Sequence, residues 1–123
     1  MEGNIDKLNK NIDKLLPLIV NPTPINFGSL APNKSIVMPI LICNPNVKPI
    51  IWTADEHETS WLMLEEGTGT LQPGGRREIK VSVKTSSMQP GSYITTLTFT
   101  ADVNDEFVSV HVPVLLTITT AYD

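Results

Sequence analysis

The chain has 123 residues, 41% of them hydrophobic and 18% charged, which suits one globular domain able to bury a core without disulfides or metals. Its richness in Leu, Ile and Val excludes a disordered chain. A net charge of −4, with nine scattered basic residues, argues against a nucleic-acid partner, and no apolar run is long enough for membrane insertion.

The N-terminus lacks the basic start, apolar stretch and small-residue cleavage site of a signal peptide. Together with a single cysteine, Cys43, that reads as a small core residue in the run Ile36–Cys43, this leans towards a cytoplasmic location. Asn4–Lys10 is followed by the similar heptad Asn11–Pro17, which spaces Ile5, Leu8, Ile12 and Leu15 as an a/d seam. Residues 1–17 are therefore expected to form a short amphipathic helix or linker, stopped by Pro17, and those four residues are the candidates for self-association into a homo-oligomer.

After Pro17 the period changes to two, and seven strand segments follow: Leu18–Val20 continuing past a proline kink to Ile25–Phe27, then Ser35–Cys43, Ile50–Ala54, Trp61–Glu65, Arg76–Thr85, Ser92–Ala101 and Phe107–Thr119. Ala31-Pro32-Asn33, Asn44-Pro45-Asn46, Pro73-Gly74-Gly75, Pro90-Gly91 and Asn104-Asp105 supply the turns. Residues 18–123 thus predict an all-β, seven-stranded, antiparallel immunoglobulin-like sandwich. Alternation turns Ile79, Val81 and Val83 inward, with Tyr93, Leu97 and Phe99, and with the even-numbered residues Val108 to Ile118. Pro113 marks an edge or bulge. Ser35–Cys43 is apolar on both faces, so alternation does not decide which side is core.

The strings Ser60-Trp61-Leu62-Met63-Leu64, Gly69-Thr70-Leu71-Gln72-Pro73-Gly74, Glu78-Ile79-Lys80-Val81-Ser82-Val83, Gln89-Pro90-Gly91-Ser92-Tyr93 and Val112-Pro113-Val114-Leu115-Leu116-Thr117-Ile118, opened by Asn21-Pro22-Thr23-Pro24-Ile25-Asn26-Phe27-Gly28, resemble the BACON family of bacterial Ig-like modules. They are also similar to the ASPM, SPD-2 and hydin group. The resemblance covers residues 18–119 and implies a non-catalytic module of a larger bacterial protein, binding carbohydrate or mucin in the first family and proteins in the second.

Catalytic chemistry finds little support. His57 falls in the charged loop Asp55-Glu56-His57-Glu58, and His111 on an outward strand position, with no nucleophile motif beside either. The Asp55–Glu58 run reads as a solvated loop, and Asp102, Asn104, Asp105 and Glu106 as a hairpin turn, so neither metal nor cofactor is expected. Phosphate-cradling glycine motifs do not occur, and Asn33-Lys34-Ser35 fits the glycosylation pattern. Phe27, Trp52, Tyr93, Phe99 and Phe107 go to the core pattern, which leaves Trp61 and Tyr122 as exposed rings and Trp61 as the candidate ligand platform. The expected function is a non-enzymatic interaction or spacer module that binds a protein or neighbouring domain. The alternative is carbohydrate binding at Trp61.

Overall fold

The computed structural model describes residues 14–86 and 88–120. They form nine strands: β1 (Ile19–Asn21), β2 (Ile25–Leu30), β3 (Ser35–Cys43), β4 (Ile50–Asp55), β5 (Leu62–Leu64), β6 (Thr68–Leu71), β7 (Arg76–Lys84), β8 (Gly91–Val103) and β9 (Glu106–Ile118). Two sheets pack face to face, a four-stranded one in the order β1-β3-β7-β5 and a five-stranded one in the order β2-β9-β8-β4-β6.

Alternation carries this arrangement. Ile79, Val81 and Val83 of β7, Leu97, Phe99 and Ala101 of β8, and Val112, Val114, Leu116 and Ile118 of β9 are all buried, around Trp52 and Ile50 of β4 and Ile40 and Ile42 of β3. Each such side chain contributes about 1.5–3 kcal/mol on leaving water, so the two inner faces supply most of the drive to fold. β8 and β9 are joined by Asn104 and Asp105, with φ of 50° and 69°. That is the left-handed pair of a type I′ turn, whose twist matches the flanking strands.

The expected seven strands become nine, for two separate reasons. The first strand divides: β1 pairs antiparallel with β3, whereas β2 crosses to the other sheet and pairs parallel with β9. The break falls at Pro22-Thr23-Pro24, where two residues lack the N–H that a continuous ladder needs; the peptide bonds before both prolines are cis. The additional strand, β6, carries only one buried apolar side chain, Leu71, and has no period for a sequence reading to find. It pairs with β4 at the sheet edge.

No helix occurs among the described residues, which corrects the expected N-terminal helix where it can be compared. Residues 14–18 carry no regular structure. Leu16 donates its N–H to Asn46 Oδ1 at 2.7 Å and accepts from Asn46 Nδ2 at 2.9 Å, so its backbone bonds a distant loop instead of a helical turn. The seam residues Ile5, Leu8 and Ile12 lie outside the described residues, as does Tyr122. Leu15 is half-buried against the core.

Two core assignments also change. Phe107 is 66% exposed, because it alternates with the inward Val108, Val110 and Val112. Cys43 is half-buried on the outer side of β3, out of phase with the buried Ile40 and Ile42. Pro113 sits where β9 changes character: β2 begins its pairing at Ile25 opposite Val114, so β9 is an edge strand before that point and an interior strand after it.

The loops at one end of the sandwich are tied together by Asn44, which is fully buried. Its Nδ2 donates to the carbonyls of Lys48, Leu71 and Gln72 at 2.9, 3.1 and 3.2 Å. Its Oδ1 accepts from the backbone N–H and the side-chain amide of Asn46, both at 2.9 Å. At the opposite end the buried Thr85 hydroxyl accepts from Lys34 N–H at 2.7 Å and donates to Ala31 O at 3.0 Å.

Candidate functional site

β3 is the strand whose two apolar faces left the core side open, and the sheet register decides it. Ile36, Met38, Ile40 and Ile42 turn inward, while Val37, Pro39, Leu41 and Cys43 form a row on the outer face of the four-stranded sheet. Ile19 stands beside Cys43 on β1, and Met63 lies across Ser82 from Val37. Ile19, Val37, Leu41 and Met63 are between 37% and 55% exposed. The neighbouring row on β7, Arg76, Glu78, Lys80 and Lys84, is exposed and charged. The result is an apolar stripe along one margin of a sheet face, bordered by charges, which is the composition of a protein contact surface.

The outer face of the five-stranded sheet is mixed: Ile51, Ile94 and Phe107 are exposed on it, and a polar cluster beside them brings together both histidines. His57 Nε2 lies 2.8 Å from Thr98 Oγ1, and His111 Nδ1 lies 3.0 Å from the same oxygen. His57 Nδ1 is 3.5 Å from Asp55 Oδ2. One hydroxyl carries one proton, so Thr98 donates to one imidazole and accepts from the other. A lone pair on His57 Nδ1 would be repelled by the Asp55 carboxylate, which puts the proton there. With both rings neutral, Thr98 then donates to His57 Nε2 and accepts Nδ1–H from His111.

The loop that delivers His57 is held in an uncommon conformation, since His57 and Glu58 have φ of 55° and 58°. Side chains other than Gly and Asn adopt this region at a cost, and the surrounding bonds must impose it. Here His57 N–H donates to Asp55 Oδ1 at 2.8 Å, Thr59 Oγ1 donates to Glu56 O at 2.7 Å, and Thr59 Oγ1 meets Thr95 Oγ1 at 2.7 Å. The cluster ties the β4–β5 connection to the sheet. Half of it was within reach of the sequence: counting outward from the Asn104-Asp105 turn places Thr98 opposite His111. Nothing in the sequence shows that a loop 41 residues away from Thr98 folds onto that pair.

Trp61 does not stand free. It is half-buried against the core and meets Tyr93 edge to face, with ring centroids 6.3 Å apart and planes at 65°; the Tyr93 hydroxyl donates to Gln89 O at 2.6 Å. A depression of about 150 Å³ lies at the Asn44 end, lined by Leu15, Leu16, Val47, Lys48, Val103 and Glu106 among others. Among the described residues no three metal-capable side chains converge.

Two face-to-face sheets of mostly antiparallel strands, with one parallel pair where β2 joins β9 and a first strand shared between the sheets, define the class: an immunoglobulin-like sandwich. Solved structures agree on the fold. The ASH / PapD-like domain 7 of human CEP192 superposes with a TM-score of 0.71 at 11% identity, over 85% of this chain and 86% of that one. A protein of unknown function from Porphyromonas gingivalis gives 0.76 at 19% identity, over 87% and 50%. The Escherichia coli chaperone DraB gives 0.65 at 10% identity, over 85% and 56%, so the chain spans about half the length of these last two. The chain belongs to the BACON family: the family model described as the viral BACON domain matches residues 17–112. Comparison with curated proteins gave no match.

Proposed function

We propose that this domain is a non-catalytic interaction or spacer module of a larger protein, and that it contacts another protein or a neighbouring domain through the apolar stripe on the outer face of β1 and β3. The observation that carries this reading is the exposure of Ile19, Val37 and Leu41 together along β1 and β3 on one face. Leaving such a group in water forgoes burial free energy that a partner surface would recover, at roughly 25 cal/mol for each Å² covered.

A photoreactive residue placed at position 37 in the parent protein tests it. The expected result is an adduct to one discrete protein or adjoining domain, with no adduct from the same probe at Thr117 on the opposite sheet. Equal labelling from both positions, or labelling by solvent alone, would remove the stripe as a binding surface. Carbohydrate binding retains Trp61 as its handle, and loss of glycan-array signal in Trp61→Ala with the fold intact would support it.

A further inference from the structure

The backbone of β9 carries a second binding feature, on a different surface from the apolar stripe. The two-residue turn at Asn104 and Asp105 makes Val103 and Glu106 a mutually hydrogen-bonded pair, after which such pairs alternate along the hairpin. Even-numbered residues of β9 therefore bond to β8, and odd-numbered residues turn their N–H and C=O to the opposite side. Two independent observations agree. Thr119 N–H donates to Leu30 O on β2, at 2.9 Å, and Pro113, with no N–H to donate, falls on the side away from β8. From Val114 onward β2 occupies that side. Before it, the N–H and C=O groups of Phe107, Ser109 and His111 have no backbone partner among the described residues.

Most other margins of the two sheets are guarded by short strands, charges or proline; Ser92, Ile94 and Thr96 of β8, beyond the end of β4, form a second stretch without a backbone partner among the described residues. β1, β5 and β6 are three or four residues long. β2 is broken by an irregularity at Gly28. On β3, beyond the end of β1, the residues turned outward are Pro39, which has no N–H to donate, and then Val37 and Ser35. From Phe107 to Val112, β9 has no charge and no proline, and Val108 and Val110 are half-buried on its inner side. Unpaired, uncharged edges of this length are templates for strand addition.

We infer that the edge from Phe107 to His111 receives an extended peptide, antiparallel to β9, as an added strand in line with β2. Its alternate residues facing Val108 and Val110 are apolar, and its C-terminal residue, beside the hairpin, is basic. The hairpin carboxylates Asp105 and Glu106 have no ion-pair partner among the described residues, which supplies the charge complement. The slot is closed at one end by β2, so it takes a single strand. A second copy of the chain would bring its own β2 on the same side of its own β9.

The probe is acetyl-Thr-Val-Thr-Val-Thr-Lys-amide, titrated into the full 123-residue chain and followed by amide NMR shifts and hydrogen exchange. The expected result is new protection at the amides of Phe107, Ser109 and His111, with binding at least about tenfold weaker for the peptide N-methylated at its threonines, because each methyl removes one edge hydrogen bond. Ser109→Pro should lose binding while keeping its other cross-sheet exchange protection, since the N–H it deletes points off the sheet. Equal binding of the N-methylated peptide, shifts confined to Val37 and Leu41, or no shift up to the solubility limit would each overturn the edge site. The second of these would leave the apolar stripe standing. Protection of the three amides without peptide would also overturn it, assigning the edge to a second copy if lost on dilution, or to the chain's own residues 1–13 if lost on their deletion.

Discussion

At the scale of single residues, Trp52 and Gly69 show how tightly the interior is specified. Trp52 is fully buried, and its Nε1–H has no hydrogen-bond partner among the described residues. The reason lies opposite on β6, where a Cβ at Gly69 would come within 2.8 Å of that nitrogen. Gly69 is required by the close approach of a backbone to an indole, and so it falls in a strand despite its low propensity for one. Gly69→Ala forces the ring or β6 to shift and should destabilise the fold by about 1–3 kcal/mol, read as a lower urea midpoint with an unchanged slope. A midpoint equal to that of the parent chain would show that β6 moves aside freely.

Among the elements, β3 illustrates how an edge is managed. Asn44 N–H donates to Gly75 O and Thr85 N–H to Lys34 O, both at 2.9 Å, so the even residues of β3 bond to β7 and the odd ones face the other way. Leu41 and Cys43 meet β1 there. Pro39 comes next, at the point where the chain leaves for the other sheet at Pro22, and it withholds the N–H that a foreign strand would take. Pro39→Val restores that donor within the apolar row, and sedimentation velocity should then detect self-association at concentrations where the parent chain shows none. An unchanged sedimentation coefficient over the full concentration range would mean that Pro39 is not what protects this edge.

For the whole molecule, the Asn44 cluster joins parts far apart in sequence: the β3–β4 loop, the β6–β7 turn and, through Asn46, the N-terminal segment at Leu16. Removing the side chain takes a donor from the carbonyls of Lys48, Leu71 and Gln72, the last of which keeps Gly75 N–H, and leaves the buried Asn46 N–H without its acceptor. Asn44→Ala should therefore cost about 2–3 kcal/mol, more than a surface change by several-fold, and lower Tm by roughly 10 °C. A Tm within a degree or two of the parent would show that water enters and replaces the amide. The same cluster bears on the N-terminal segment, since Asn46 fixes Leu16 in a non-helical backbone. Whether residues 1–13 associate chains through Ile5, Leu8 and Ile12 is decided by light scattering of the chain with and without them.

What the amino-acid order determined by itself was whatever depends on local period and turn chemistry. The alternation of β7, β8 and β9 put Ile79, Leu97, Phe99 and Val114 in the core, and the Asn104-Asp105 pair fixed the hairpin and the register of Thr98 with His111. Tertiary structure alone decided everything that depends on a partner strand. Which face of β3 is core follows from the sheet it joins, because both of its faces are apolar. The split of the first strand follows from two sheets competing for one segment, and β6 exists only because β4 offers it a ladder and Trp52 a surface. The free edge of β9 follows from where β2 happens to begin. Hydrogen bonds between strands are made by backbone atoms that every residue but proline carries whole, so apart from Pro39 and Pro113 no side-chain pattern records which of them are left unpaired.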